Sequence, residues 1–289
     1  KARTGLATFA AGQATARVRI VANDDAEAEP TETVALTLLP GTTYAPGAAY
    51  TDTVRILDND AVAPPGTGDG LFGRYYVGKN LAEVREARID KQVDFLWHAG
   101  TPFPSIGTDL FSVRWTGKVE APASGTYTFV TDTDDGVRLW VDGKPIINMW
   151  RDQGAPATVH ESQPITLVAG QKYDIRMEYY ENTGGAKAAL KWKTPGQQEA
   201  VVVPRERLYS NTATVGDLVW VDANGNGTQD LVGEDKGESG APGVRVQVFE
   251  GVAGKVEAVP ATRTDAGGRF SFLVPADATY QLRFGGGLG

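Results

Sequence analysis

The 289 residues carry 36 acidic against 28 basic side chains, a formal charge of -8 that repels nucleic-acid phosphates and anionic lipid heads and excludes both as partners. Gly (35) and Pro (16) punctuate short apolar runs and no stretch keeps a helical period for long, so the chain reads as all-β, in small modules rather than around one large core. With no Cys there are neither disulfides nor thiolate metal sites, and the acidic residues gather in loops, as hard oxygen ligands for Ca2+ do.

Up to about Ala61, three runs alternate: Ala16, Val18 and Ile20; Val34, Leu36 and Leu38; Val54 and Ile56. Each reads as a strand with one buried face. Three strands make a thin domain, so residues 1–61 read as part of a module. Ala63 to Gly70 is a Pro/Gly linker, which places a boundary at 62–70. A second module then spans 71–210 with five of the six Trp residues, its clearest strands being Tyr127 to Val130, Val137 to Val141, Tyr173 to Tyr179 and Ala188 to Trp192. The stretch Asn80 to Arg88 reads as a short helix. From 211 to 289 short strands alternate with Gly-rich acidic loops, and Val244, Val246, Val248, Phe270, Phe272, Tyr280, Leu282 and Phe284 supply inward rows. Starting at Lys1 with no signal-peptide or membrane-spanning stretch, the chain reads as an internal fragment that does not itself insert into a membrane.

Phe9-Ala10-Ala11-Gly12-Gln13, the run Asp24-Asp25-Ala26-Glu27-Ala28-Glu29 and the closing Leu57-Asp58-Asn59-Asp60 resemble the second half of a Calx-β domain. The resemblance implies an immunoglobulin-like sandwich with Asp24, Asp25, Asp58 and Asp60 as calcium ligands at one end. A solvated acidic turn explains the same residues.

Gly73-Arg74-Tyr75-Tyr76, Gly125-Thr126-Tyr127-Thr128-Phe129, Asp134-Asp135-Gly136 through Gly143, Glu178-Tyr179-Tyr180-Glu181-Asn182 and Ala189-Leu190-Lys191-Trp192 resemble the PA14 domain, a β-sandwich of toxin protective antigens, flocculins and some glycosidases. In its sugar-binding members, an Asp pair joined by a cis peptide holds a calcium ion whose coordination sugar hydroxyls complete. Carried over, this makes Asp134 and Asp135 both metal and carbohydrate ligands, with Asn182 joining them from a second loop running to Gly185. The plain alternative is an ordinary Asp-Asp-Gly turn before a strand. Trp140, Trp150, Tyr180 and Trp192 are stacking candidates, although on alternating strands an aromatic usually belongs to the core.

Val215-Gly216-Asp217 through Asp230, Gly240-Ala241-Pro242-Gly243 and Thr264-Asp265-Ala266-Gly267-Gly268-Arg269-Phe270 are similar to the B repeat of serine-aspartate-repeat adhesins, a collagen-adhesin B-type fold. Asp222, Asn224, Asn226 and Asp230 repeat the oxygen ladder of an EF-hand-type loop, with the Thr228 carbonyl facing inward. Its twelfth position is Gly233, not Glu, which leaves Glu234 or Asp235 as the final ligand.

Only His98 and His160 offer imidazole bases, and there is no nucleophile elbow, phosphate loop or Cys nucleophile, so the chain reads as a non-enzyme. The expected architecture is three consecutive β-sandwich modules of an extracellular bacterial surface adhesin that binds glycans through calcium. The alternatives are a calcium-stiffened stalk or surface-layer segment, and an accessory region of a carbohydrate-active enzyme.

Overall fold

The computed structural model describes residues 32–37, 39, 51–56, 66–153, 158–229, 238–251 and 256–285, and its regular structure is almost wholly antiparallel β. The chain divides into two compact units, Lys1–Ala61 and Val62–Gly289. In the first, β1 (Glu32–Thr37) and β2 (Thr51–Ile56) pair in register from Glu32 with Ile56 to Thr37 with Thr51. These are two of the three strands expected there, although Leu36 is 42% exposed. The run at Ala16 to Ile20 and the acidic residues Asp24, Asp25, Asp58 and Asp60 lie outside the described residues.

The second unit opens with β3 (Leu71–Val77), β4 (Glu83–Asp90), β5 (Asp94–His98), β6 (Phe111–Glu120), β7 (Gly125–Asp134), β8 (Val137–Val141) and β9 (Lys144–Met149). It continues through β10 (Thr158–Glu161), β11 (Ile165–Leu167), β12 (Lys172–Glu181), β13 (Ala186–Lys193), β14 (Val201–Val202) and β15 (Leu208–Tyr209). One sheet runs β4-β3-β6-β12-β8-β9 with β15 beside β6; the other runs β10-β7-β13-β14 with β11 on β7 and β5 on β13. Between them Trp115, Trp192, Tyr75, Tyr127, Tyr179, Phe111 and Phe129 are fully buried in a single apolar cluster. β12 shows why these residues make a sandwich strand: Tyr173, Ile175 and Met177 point inward while Asp174 and Arg176 alternate with them on the outside.

The helix expected over Asn80 to Arg88 is absent; Glu83–Asp90 is β4, paired with β3. Val84 packs with Tyr76 and Leu81, and Ala87 and Ile89 pack on a second apolar cluster, so tertiary burial overrides the local helical tendency.

That second cluster joins two modules. The strands β16 (Thr212–Leu218), β17 (Arg245–Glu250), β18 (Val256–Arg263), β19 (Arg269–Pro275) and β20 (Tyr280–Gly285) form sheets β16-β19 and β18-β17-β20. Their core of Val246, Val248, Ala258, Val259, Phe270, Phe272 and Val274 also contains Phe72 from β3. β3 is therefore buried on both faces, with Leu71 and Tyr75 in the first sandwich and Phe72 in the next module. Arg74, between them, pairs with Glu250 at 2.7 Å. Of the inward rows expected in this module, Phe284 is the exception at 53% exposed, although its ring meets that of Phe270 in a T-shaped contact.

Candidate functional site

The chain crosses from one sheet of the sandwich to the other between β7 and β8, and the crossing consists of Asp134, Asp135 and Gly136. The Asp134–Asp135 peptide bond is cis. Gly136 is required by contact: a Cβ there would lie 2.2 Å from the Tyr180 ring. The end of β12 lies alongside and contributes Glu181.

Asp134, Asp135 and Glu181 are all buried, and each offers a carboxylate oxygen within 4.8 Å of the others. Glu181 has no solvent exposure, and its Oε1 has no hydrogen-bond partner. Burial, reinforced by the Asp135 and Asp134 charges, pushes the Glu181 carboxyl up to about 8. Burial and Asp135 likewise raise Asp134. Tyr179 donates to the Asp134 carbonyl at 2.5 Å and its hydroxyl lies 3.2 Å from Glu181 Oε2. Three desolvated carboxyls with one orphaned oxygen are costly alone, and a hard divalent cation is the group whose charge and oxygen preference fit them.

Asp135 is the best anchored of the three. Its Oδ1 accepts the Gln153 backbone N–H at 2.6 Å and its Oδ2 that of Asn182 at 2.8 Å. The Gln153 side-chain amide donates to the Asp135 carbonyl at 2.7 Å, which leaves its Oε1 to accept from His160 Nε2 at 2.5 Å. Burial first, then Arg151, lowers the His160 pKa. Asn182 meets the site through its backbone; its side-chain Oδ1 accepts from Lys79 at 2.9 Å and its Nδ2 donates to Asp152 at 3.1 Å. The Gly184-Gly185 turn borders the site, with the Gly185 Cα hydrogen side facing Asp134 Oδ2 closely enough that a Cβ would stand 3.8 Å away.

Glu181 escaped the sequence reading, yet its signal was present. The inward parity of Tyr173, Ile175, Met177 and Tyr179 continues to 181, so an acid occupies an inward register. Of the four aromatic stacking candidates, Trp192 and Tyr180 are buried, whereas Trp140 and Trp150 are only partly so.

In the module from β16 onward, Asp222, Asn224, Asn226 and Thr228 lie on one exposed loop. Asp222 accepts N–H groups from Gly225, Gly227 and Asn226, and Asn226 Oδ1 accepts from Thr228. The Gly227 N–H is the leading cause of the lowered Asp222 pKa. Asp230, Glu234 and Asp235 lie outside the described residues. Buried Glu238, not anticipated, accepts the Ala223 N–H at 2.8 Å, next to Asp222 in the chain.

Residues 68–206 match the family profile of the PA14 domain. Residues 213–289 match that of the SdrD B-like domain. The Calx-β resemblance rests on the sequence motifs alone. Over 160 residues, 55% of this chain, the protein is 50% identical to anti-sigma-I factor RsgI3 of Acetivibrio thermocellus. Over 108 residues it is 29% identical to the protective antigen of Bacillus anthracis. The chain spans 24% and 13% of those two relatives. A solved anti-sigma factor domain-containing protein superposes with a TM-score of 0.47 at 28% identity, covering 76% of this chain and 94% of that one. No helix among the described residues is long and apolar enough to cross a membrane.

Proposed function

We propose that the PA14 domain is a non-enzymatic carbohydrate-binding module of an extracellular bacterial surface protein, and that it works through calcium. The observation that carries this reading is the fully buried Glu181, whose Oε1 has no hydrogen-bond partner and whose carboxylate brings an oxygen within 4.8 Å of carboxylate oxygens from Asp134 and Asp135. These three side chains hold the ion, and Asn182 and Gln153 keep Asp135 aimed at it through their N–H groups. A bound calcium ion supplies coordination positions that vicinal sugar hydroxyls can fill in place of water. The SdrD B-like domain's loop at Asp222, Asn224, Asn226, Thr228 and Asp230 takes a structural calcium ion in the same reading.

Glycan-array binding of the chain in calcium, repeated in chelator and with Asp135→Asn, tests it. Binding lost in both controls supports the reading; no binding to any glycan favours a structural stalk, and binding unchanged in both controls places the glycan at a site independent of calcium. A second reading follows from the 50% identity to an anti-sigma-I factor over 160 residues: the same module acting as the glycan-sensing part of a signalling protein. Glycan-dependent transcription of a sigma-factor reporter in the source cell separates it from adhesion.

A further inference from the structure

The outer face of β12 and β8, with Lys79 and Trp150 beside it, carries a connected series of cations and aromatic rings. It begins beside the candidate calcium site, where Lys79 lies 5.2 Å from the Tyr180 ring and Trp150 meets Tyr180 edge-on at 4.7 Å. Arg138 then covers Trp150 at 4.0 Å and approaches Trp140 at 5.6 Å. Arg176 covers Trp140 at 3.9 Å. Trp140 and Arg176 also line a cleft of about 380 Å³ between the PA14 and SdrD B-like domains, together with Ser210 and Asn211. From Tyr180 to Arg176 the strip follows four residues of β12, about 13 Å of strand.

Its charge is unbalanced. Arg114 at 2.8 Å, Arg138 at 2.6 Å and Arg176 at 3.9 Å all approach one carboxylate, Glu178, whose side chain is 3% exposed. Three guanidinium groups thus share a single negative partner, in a chain whose formal charge is -8. Arg138 Nε is buried without a partner, and Arg176 remains 46% exposed. By contrast, the adjoining cleft has no such excess: Glu250 pairs with Arg74, and Asp174 and Asp277 share the single Lys118. The excess positive charge lies on the strip.

We propose that this strip is a second binding surface, for an anionic polysaccharide whose carboxylate or sulfate groups pair with Arg138 and Arg176 while its sugar rings lie along Trp140 and Trp150. Arg176 offers a half-exposed guanidinium side chain, and the partly buried indoles, each with an arginine over its ring, leave apolar surface of the kind sugar C–H groups pack against. The choice of a glycan over another polyanion rests on the reading of the adjacent site, from which the strip extends. The placement lets one chain touch both: a residue held at Asp134 and Asp135, and its neighbours on the arginines.

The test is equilibrium binding of the full chain to hyaluronan oligosaccharides (carboxylate), dextran sulfate (sulfate) and neutral dextran, each with calcium and with chelator. Anionic glycan binding that weakens with added salt and falls about tenfold in Arg176→Gln or Trp140→Ala is the expected result. The charge-matched change Arg85→Gln, on an exposed residue of β4 paired with Glu83, leaves it unaltered. Unchanged melting of Arg176→Gln establishes that the variant is folded. No binding of either anionic probe, equal loss in Arg85→Gln, or tighter binding of an acidic peptide than of either glycan would overturn the proposal. So would anionic binding that chelator abolishes and Arg176→Gln leaves intact, which spares the calcium reading. Binding that survives chelator and Asp135→Asn but is lost in Arg176→Gln supports the strip and counts against the calcium reading.

Discussion

Gln153 grips Asp135 from two directions, its backbone N–H donating to Oδ1 at 2.6 Å and its side-chain amide to the Asp135 carbonyl at 2.7 Å. His160 in turn fixes the amide, since Gln153 Oε1 accepts from His160 Nε2. Gln153→Ala keeps the backbone contact and loses the other two. Calcium affinity is expected to fall about tenfold, the usual effect of freeing a group that orients a ligand. Calorimetric titration checks it, and an unchanged affinity would show that Asp135 needs no such support.

Glu181 makes the site pH-dependent with a definite sign. Its folded pKa of about 8 lies above its ordinary 4.5, so the metal-free folded chain holds a proton that the unfolded chain releases. The stability this confers is complete below 4.5 and is lost as pH rises through 8. Calcium must displace the same proton, so its affinity climbs with pH and levels off above about 8. Melting in chelator across that range should show the decline, and Glu181→Gln should flatten it while weakening calcium binding.

Phe72 ties the two domains together, since its ring lies with Val246, Val248 and Phe272 rather than in its own sandwich. Phe72→Ala should cost about 3–5 kcal/mol, as for other buried Phe truncations. Urea denaturation followed separately by tryptophan fluorescence and by proteolysis of the C-terminal domain is expected to change from one transition to two.

The Asp222 loop should gain stability from calcium by mass action, because the ion binds the folded loop and not the unfolded chain. Glu238 is buried and accepts the N–H of Ala223, the residue after Asp222, so it belongs to this loop's acidic set. Glu238→Gln is expected to shrink the calcium-induced rise in melting temperature without abolishing folding. A melting temperature indifferent to calcium in the parent chain removes the ion from this loop.

Much of this was legible beforehand where one face of a strand is buried. Tyr173 to Tyr179 and Val137 to Val141 alternate, and both are sandwich strands. Legibility failed where burial is two-sided or long-range. Leu71-Phe72-Gly73-Arg74-Tyr75-Tyr76 has no alternation because both its faces are covered, and only the folded chain shows that Phe72 belongs to another domain. The stretch Asn80 to Arg88 reads as a helix for the same reason, since Ala87 and Ile89 pack on the cluster that holds Val246 and Phe272, more than a hundred residues away. At the candidate site the Asp pair stood out by adjacency. Glu181 did not, because it meets Asp134 and Asp135 only through the crossing between the two sheets. The sequence points to the Asn182 side-chain oxygen, which is turned to Lys79, while it is the Asn182 N–H that reaches Asp135.

The placement of Phe72 also bears on how such a chain can be assembled by recombination. A breakpoint near residue 211 looks harmless on the sequence, since it falls between the two matched domains. It would nonetheless leave Phe72, Ala87 and Ile89 uncovered on one product and open the Val246 and Val248 core on the other. Apolar faces laid bare in this way favour self-association. Residues 66–285 are thus better regarded as one transferable cassette than as two interchangeable parts.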